Sequence, residues 1–97
     1  MINSTKYSIK EIANAIGAEY NEKNNIVEGI GWDSREKQQK YCYFVFNGEN
    51  FDGINFVNEA INNGASLIIS DRSIKSTVPF LYVDNTKKTL ELELDNN

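Results

Sequence analysis

Two short, uninterrupted apolar runs, Tyr41 to Phe46 and Ser66 to Ser70, flank a segment of helical spacing, and that alternation leaves few folds open. Runs of this length without polar alternation read as strands buried on both faces. Between them, Asn47-Gly48-Glu49-Asn50-Phe51-Asp52-Gly53 concentrates turn formers; Phe56, Val57, Ala60 and Ile61 then recur at helix spacing until Asn63-Gly64 closes the segment. Strand, helix and strand in that order predict a parallel pair joined by a right-handed crossover. The class is therefore α/β, with Tyr41–Phe46 as the central strand.

The flanks extend the pattern. Ser8-Ile9-Lys10-Glu11 has the form of a capping box, followed by Ile9, Ile12, Ala13 and Ile16 at helical spacing and by Gly17 as a stop. A polar turn over Asn21–Asn25 leads to Ile26–Trp32, whose β-branched content predicts a strand. After a polar connection from Glu36 to Lys40 comes the central strand. Pro79 precedes a further strand over Phe80–Val83, and Asp84 or Asn85 is placed to cap a last helix carrying Leu90 and Leu94, with Asp95-Asn96-Asn97 fraying. The sum is a small mixed, partly parallel sheet with helices packed on it, and a single domain over residues 1–97.

Composition excludes several classes of function. The largest apolar runs fall far short of the roughly 20 residues a membrane helix needs. The N-terminal Met1 to Lys6 lacks the basic stretch and apolar run of a secretory signal, so a cytoplasmic location is expected. There is no histidine and one cysteine, Cys42, set among aromatic residues. That removes the usual zinc sites and leaves a thiolate without a histidine base, so Cys42 reads as a small buried hydrophobe. A net charge of −4 argues against nucleic acid as a partner. Any anionic ligand has to be held by local donors rather than by the overall field.

Two polar loops follow predicted strands, where ligands bind in open α/β sheets: Asp33-Ser34-Arg35 and Gly48 to Gly53. Ser34 offers a hydroxyl, Arg35 a planar fork suited to phosphate, and the glycine-flanked loop a set of backbone N–H groups leading into a helix. Together they suit a diphosphate. The plainer alternative, that both are only connectors, is favoured by about two to one on these short motifs alone.

Taken in order, Asp33-Ser34-Arg35, the aromatic strand, Gly48-Glu49-Asn50-Phe51-Asp52-Gly53, Phe56, Glu59-Ala60-Ile61, Gly64-Ala65, Val83-Asp84-Asn85-Thr86 and Thr89-Leu90 resemble the N-terminal domain of the Mur ligase family. The similarity runs from Tyr7 to Leu92. The Gly-Glu-Asn-Phe-Asp-Gly form is most similar to the D-alanyl-D-alanine-adding branch. The resemblance implies a domain that grips the uridine diphosphate end of a UDP-N-acetylmuramoyl-tripeptide for peptidoglycan synthesis. It implies substrate contacts from Trp32, Ser34, Glu49, Asn50 and Phe51. For Arg35 two roles stand open: a ligand contact, or an ion pair with Asp33 or Asp52.

In the family, ATP and magnesium act in a central domain, which works with a C-terminal domain. This chain carries no phosphate-loop motif of the form G-x-x-x-x-G-K-[ST], so no cofactor, no catalytic residue and no ligation are expected of it alone. The chain departs from the family at Gln39-Lys40-Tyr41, where Pro-Gly-Asp is usual, at Trp32, where a small Thr is common, and at Ile54, a frequent His. Trp32 either stacks on uracil or fills the site. Two other functions stay open: a free-standing module that binds a nucleotide sugar or a protein, and the ligase that adds the third amino acid.

Overall fold

The computed structural model describes residues 7–20, 25–35 and 40–95. A short strand β1 (Tyr7–Ser8) enters helix α1 (Ile9–Ile16), and the predicted capping box is formed. The Ser8 hydroxyl accepts the Glu11 N–H at 3.1 Å, and the Glu11 carboxylate accepts the Ser8 N–H at 3.1 Å. These bonds satisfy two donors that a bare helix start would strand. Gly17 ends the helix at φ 73°, the left-handed cap that glycine adopts without a Cβ penalty. Next come β2 (Ile26–Val27), β3 (Gly29–Gly31) and β4 (Tyr41–Phe44). A 3-10 turn (Gly53–Phe56) then runs into α2 (Val57–Asn62), followed by β5 (Ala65–Ser70), β6 (Phe80–Tyr82) and α3 (Thr86–Asp95).

The strand predicted over Ile26–Trp32 is in fact two, because its halves have different partners. Ile26 and Val27 pair antiparallel with β1, whereas Gly29–Gly31 pair parallel with β4. Glu28 lies between them and donates its N–H to the Lys40 carbonyl at 2.8 Å. Antiparallel and parallel pairing are thus kept in separate sheets: β1-β2, and a wholly parallel β3-β4-β5-β6. The central strand is as expected, with every residue of β4 buried and Val45 continuing its ladder to the Ile69 carbonyl at 2.9 Å. Between β4 and β5 the register slips: Tyr41 pairs with Ala65 and Cys42 with Leu67, so Ser66 is bulged out of the pairing.

Alternation along β4 divides the interior into two layers. Cys42 and Phe44 face Ile9, Ile12 and Ala13 of α1 and Leu90 of α3, with Leu67, Ile69 and Leu81. Tyr41, Tyr43 and Val45 face Val57 and Ala60 of α2, with Ala65 and Ile68. The result is three layers, helix, sheet and helix, around a parallel sheet that neither face exposes. Each fully buried large apolar side chain contributes about 1.5–3 kcal/mol. No helix among the described residues is long and apolar enough to cross a membrane.

Of the Gln39-Lys40-Tyr41 stretch, Gln39 lies outside the described residues, as do residues 36–38, the polar residues 21–24, the N-terminal six and the last two. Lys40 itself is described, at φ 53°. A left-handed residue therefore precedes β4, with a lysine side chain in a backbone region that favours glycine.

Candidate functional site

Parallel strands put all their carboxyl ends on one edge of the sheet, and four polar segments gather there: residues 32–35 after β3, 45–53 after β4, 71–72 after β5 and 83–87 leading into α3. Strand order in this sheet simply follows the sequence. No reversal of order opens a crevice, so the cleft arises instead where α3 begins beside the strand ends. It has a volume of about 610 Å³ and is lined by Trp32, Val45, Phe46, Asn47, Asp71, Asn85, Thr86, Lys87 and Leu90. That size falls within the usual ~300–1,000 Å³ of small-molecule sites.

Trp32 forms one wall. It is 49% exposed, far more than a core tryptophan, and its ring lies 6.2 Å from that of Phe46 at 52°. About half of the residue is thus open to solvent at the border of the cleft.

Ser34 is placed differently from its neighbour. It is buried, its hydroxyl donates to Glu59 Oε1 at 2.5 Å, and its carbonyl accepts the Asn63 amide at 2.7 Å. Glu59 lies in α2, and Asn63, four residues on, caps the end of that helix. The triplet is thereby pinned to the helix. A phosphate contact from the Ser34 hydroxyl would require breaking the bond to Glu59.

Arg35 forms an ion pair, and its partner is Asp33 rather than Asp52. Nε and Nη2 reach Oδ1 and Oδ2 at 3.0 and 2.9 Å, while the Arg35 backbone N–H donates to Oδ1 at 3.0 Å. The guanidinium fork, helped by that N–H, pushes the Asp33 carboxyl down to about 2 and raises Arg35. Its side chain is 81% exposed, so the pair holds a turn in solvent.

The loop after β4 is a miniature hairpin. Asn47 and Asp52 form a bridge, Gly48 donates to the Phe51 carbonyl at 2.6 Å, and Gly53 donates to the Phe46 carbonyl at 2.7 Å. Glu49 and Asn50 are its exposed tip. Phe51 stacks on Phe56 with centroids 5.2 Å apart and planes at 9°. Neither Glu49, Asn50 nor Phe51 lines the cleft.

Two anchors hold the base of the hairpin. Asp52 caps the 3-10 turn by accepting the Ile54 N–H at 3.1 Å, and Arg72 grips both carboxylate oxygens, Nη1 to Oδ2 at 2.8 Å and Nη2 to Oδ1 at 2.5 Å. Arg72 accordingly holds the Asp52 carboxyl below its usual range. Tyr43, from the buried strand, donates to the Gly53 carbonyl at 3.1 Å; burial pushes its phenol up to about 12. Gly53 is needed for close approach, since a Cβ there would lie 3.1 Å from both Phe46 N and the Tyr43 hydroxyl.

The cleft thus brings together one predicted site residue, Trp32, with others such as Asp71, Thr86 and Lys87 that sequence reasoning did not name as ligand contacts, and it leaves out Arg72, the unforeseen anchor of the hairpin. Arg72 had a usable signal, being a cation directly beyond an apolar strand. Thr86 and Lys87 had one too, as the start of a capped helix at the sheet's carboxyl edge.

No protein-family model matches the chain. It is 39% identical over 64 residues to the UDP-N-acetylmuramoyl-L-alanyl-D-glutamate--2,6-diaminopimelate ligase of Aquifex aeolicus, covering 66% of this chain and 13% of that enzyme. Over 94 residues it is 28% identical to the UDP-N-acetylmuramoyl-tripeptide--D-alanyl-D-alanine ligase of Bacillus subtilis, covering 94% of this chain and 21% of that one. Among solved structures, MurF from Acinetobacter baumannii matches with a TM-score of 0.78 at 22% identity, over 94% of this chain and 21% of that one; this likeness is one of fold. MurF ligase from Thermotoga maritima, in complex with ADP, matches with a TM-score of 0.60 at 30% identity over 69% of this chain and 17% of that one. The chain spans between an eighth and about a fifth of the length of the curated relatives it matches.

Proposed function

We propose, for a chain that belongs to the Mur ligase family, that it supplies the surface gripping the uridine diphosphate end of a UDP-N-acetylmuramoyl-peptide during peptidoglycan precursor synthesis. The observation that carries this reading is the cleft at the carboxyl edge of the parallel sheet, with the exposed face of Trp32 as one wall. An indole offers the uracil ring a stacking surface without demanding particular hydrogen bonds. Glu49, Asn50 and Phe51, at the tip of the neighbouring hairpin, would reach the ligand from outside the cleft. Ser34 and Arg35 act mainly by fixing the segment that carries Trp32.

The ligation step would belong to a central domain using ATP and magnesium, together with a C-terminal domain. The Gly-Glu-Asn-Phe-Asp-Gly loop favours the step that adds D-alanyl-D-alanine to a tripeptide. A second reading, the step that adds the third amino acid, is favoured by the 39% identity to the Aquifex aeolicus enzyme.

Calorimetric titration of the chain with UDP-N-acetylmuramoyl-dipeptide and UDP-N-acetylmuramoyl-tripeptide tests the proposal. Saturable binding of either, abolished in Trp32→Ala, is expected. Absence of binding to both at millimolar ligand would remove the nucleotide-gripping role. Because the peptide end has few partners on this surface, affinities for the two should be similar and weak.

A further inference from the structure

The start of α3 makes a wall of the cleft that the stacking role of Trp32 does not use. Asn85 caps this helix: its side-chain oxygen accepts the Lys88 N–H at 2.9 Å, and its carbonyl accepts the Thr89 N–H at 3.0 Å. The third N–H of the helix is therefore satisfied. Those of Thr86 and Lys87, at the first two positions, have no acceptor within the helix by the geometry of a helix start. They lie at the positive end of the ten-residue helix's dipole.

Thr86 supplies the second observation. It lines the cleft, is only 2% exposed, and its Oγ1 is buried without a hydrogen-bond partner among the described residues. A buried hydroxyl without a partner is destabilising, and native structures contain few of them. Threonine in a helix divides its side chain between two rotamers, so Oγ1 can turn toward the cleft without giving up any bond. Lys87 adds a cation on the same wall. In a chain of net charge −4, local donors of this kind are what an anion requires. Asp71 also lines the cleft, and its carboxylate disfavours any arrangement that spreads negative charge away from the helix.

We propose that the N-terminus of α3 is a phosphate site, in which the N–H groups of Thr86 and Lys87, the Thr86 hydroxyl and the Lys87 ammonium take one phosphate of the nucleotide whose base stacks on Trp32. This rests on the nucleotide-gripping role proposed above and adds to it the residues that distinguish a nucleotide from a nucleoside. Backbone N–H groups at a helix start suit phosphate because they converge on it with the dipole already aligned.

The test is an amide and indole NMR titration of the chain with UDP and, separately, with uridine. UDP is expected to shift the Thr86 and Lys87 amides together with the Trp32 indole, and uridine the indole alone. Thr86→Val keeps the shape and removes the unpaired hydroxyl, so it should melt at or above the wild-type temperature while weakening UDP roughly tenfold and leaving uridine unchanged. Lys87→Gln, at an exposed position, should weaken UDP several-fold, and more so at low salt. If UDP moves the Trp32 indole but leaves the Thr86 and Lys87 amides silent, the phosphate site is overturned and the stacking role survives. If UDP moves neither, both proposals fail. Equal UDP affinity in wild type, Thr86→Val and Lys87→Gln would likewise overturn the phosphate site.

Discussion

Ser34 and Glu59, 25 residues apart in sequence, are joined by a hydrogen bond of 2.5 Å from Ser34 Oγ to Glu59 Oε1. That bond fastens the segment after β3 to α2, and it makes the serine of the Asp33-Ser34-Arg35 triplet a structural residue before it is anything else. Ser34→Ala should lower stability by about 1 kcal/mol, because Glu59 is exposed and can recover its hydration. In a chain of this size each kcal/mol moves the thermal midpoint by roughly 4–8 °C, which calorimetry resolves. An unchanged midpoint combined with weakened UDP binding would instead assign the hydroxyl to the ligand.

Arg72 and Asp52 pair at the base of the hairpin, partly exposed at 38% and 27%. A pair so placed contributes only about 0–1 kcal/mol to global stability. Its effect should be local. In Arg72→Met the amides of Glu49 and Asn50 are expected to exchange with solvent faster than in wild type, while those of β4 and β5 are unchanged. Uniform exchange across all of them would mean that the pair does not restrain the hairpin.

At Gly53 the neighbours that would meet a new Cβ are mostly backbone: Phe46 N at 3.1 Å and Phe46 O at 3.2 Å, with the Tyr43 hydroxyl at 3.1 Å. A backbone held between a strand and a hairpin cannot retreat cheaply. Gly53→Ala should cost about 1–3 kcal/mol, seen as an earlier midpoint in urea with the same slope.

Lys40 occupies φ 53° immediately before the central strand. A side chain in the left-handed region is strained, whereas glycine adopts it freely but loses more entropy on folding. Strain is the larger effect, so Lys40→Gly should stabilise by about 0.5–1 kcal/mol. Chemical denaturation of the two proteins decides the sign, and a destabilised variant would show that the left-handed turn is not kept in solution.

Asp33 should titrate near 2 because Arg35 and its N–H favour the carboxylate. Since the folded value lies below that of an unfolded aspartate, ~3.9, the pair's stabilisation is present above that pH and is lost as pH falls through about 2. Carboxyl-carbon NMR across this range gives the midpoint directly. In Arg35→Gln it should return toward ~3.9. A wild-type midpoint already in that range would mean the fork is open in solution.

The order of elements, the central strand, the capping box at Ser8 and Glu11 and the crossover from β4 to β5 were legible in the sequence because each depends on local spacing. Period-two burial, helix-period apolar residues and cap chemistry are properties of neighbouring residues. The division of Ile26–Gly31 between two sheets was not legible, because both halves have strand character and only their partners, β1 and β4, differ. The same limit governed the site. The pair of Arg35 with Asp33, two residues away, was among the roles the sequence left open, whereas the bond from Ser34 to Glu59, 25 residues away, was decided by tertiary packing. Thr86, an ordinary residue at the start of a helix, became a buried hydroxyl in a cleft wall only when α3 packed beside the ends of β3, β4 and β5. Local pattern determines which element a residue joins; which donor meets which acceptor depends on chain segments far apart in sequence, and only packing brings those together.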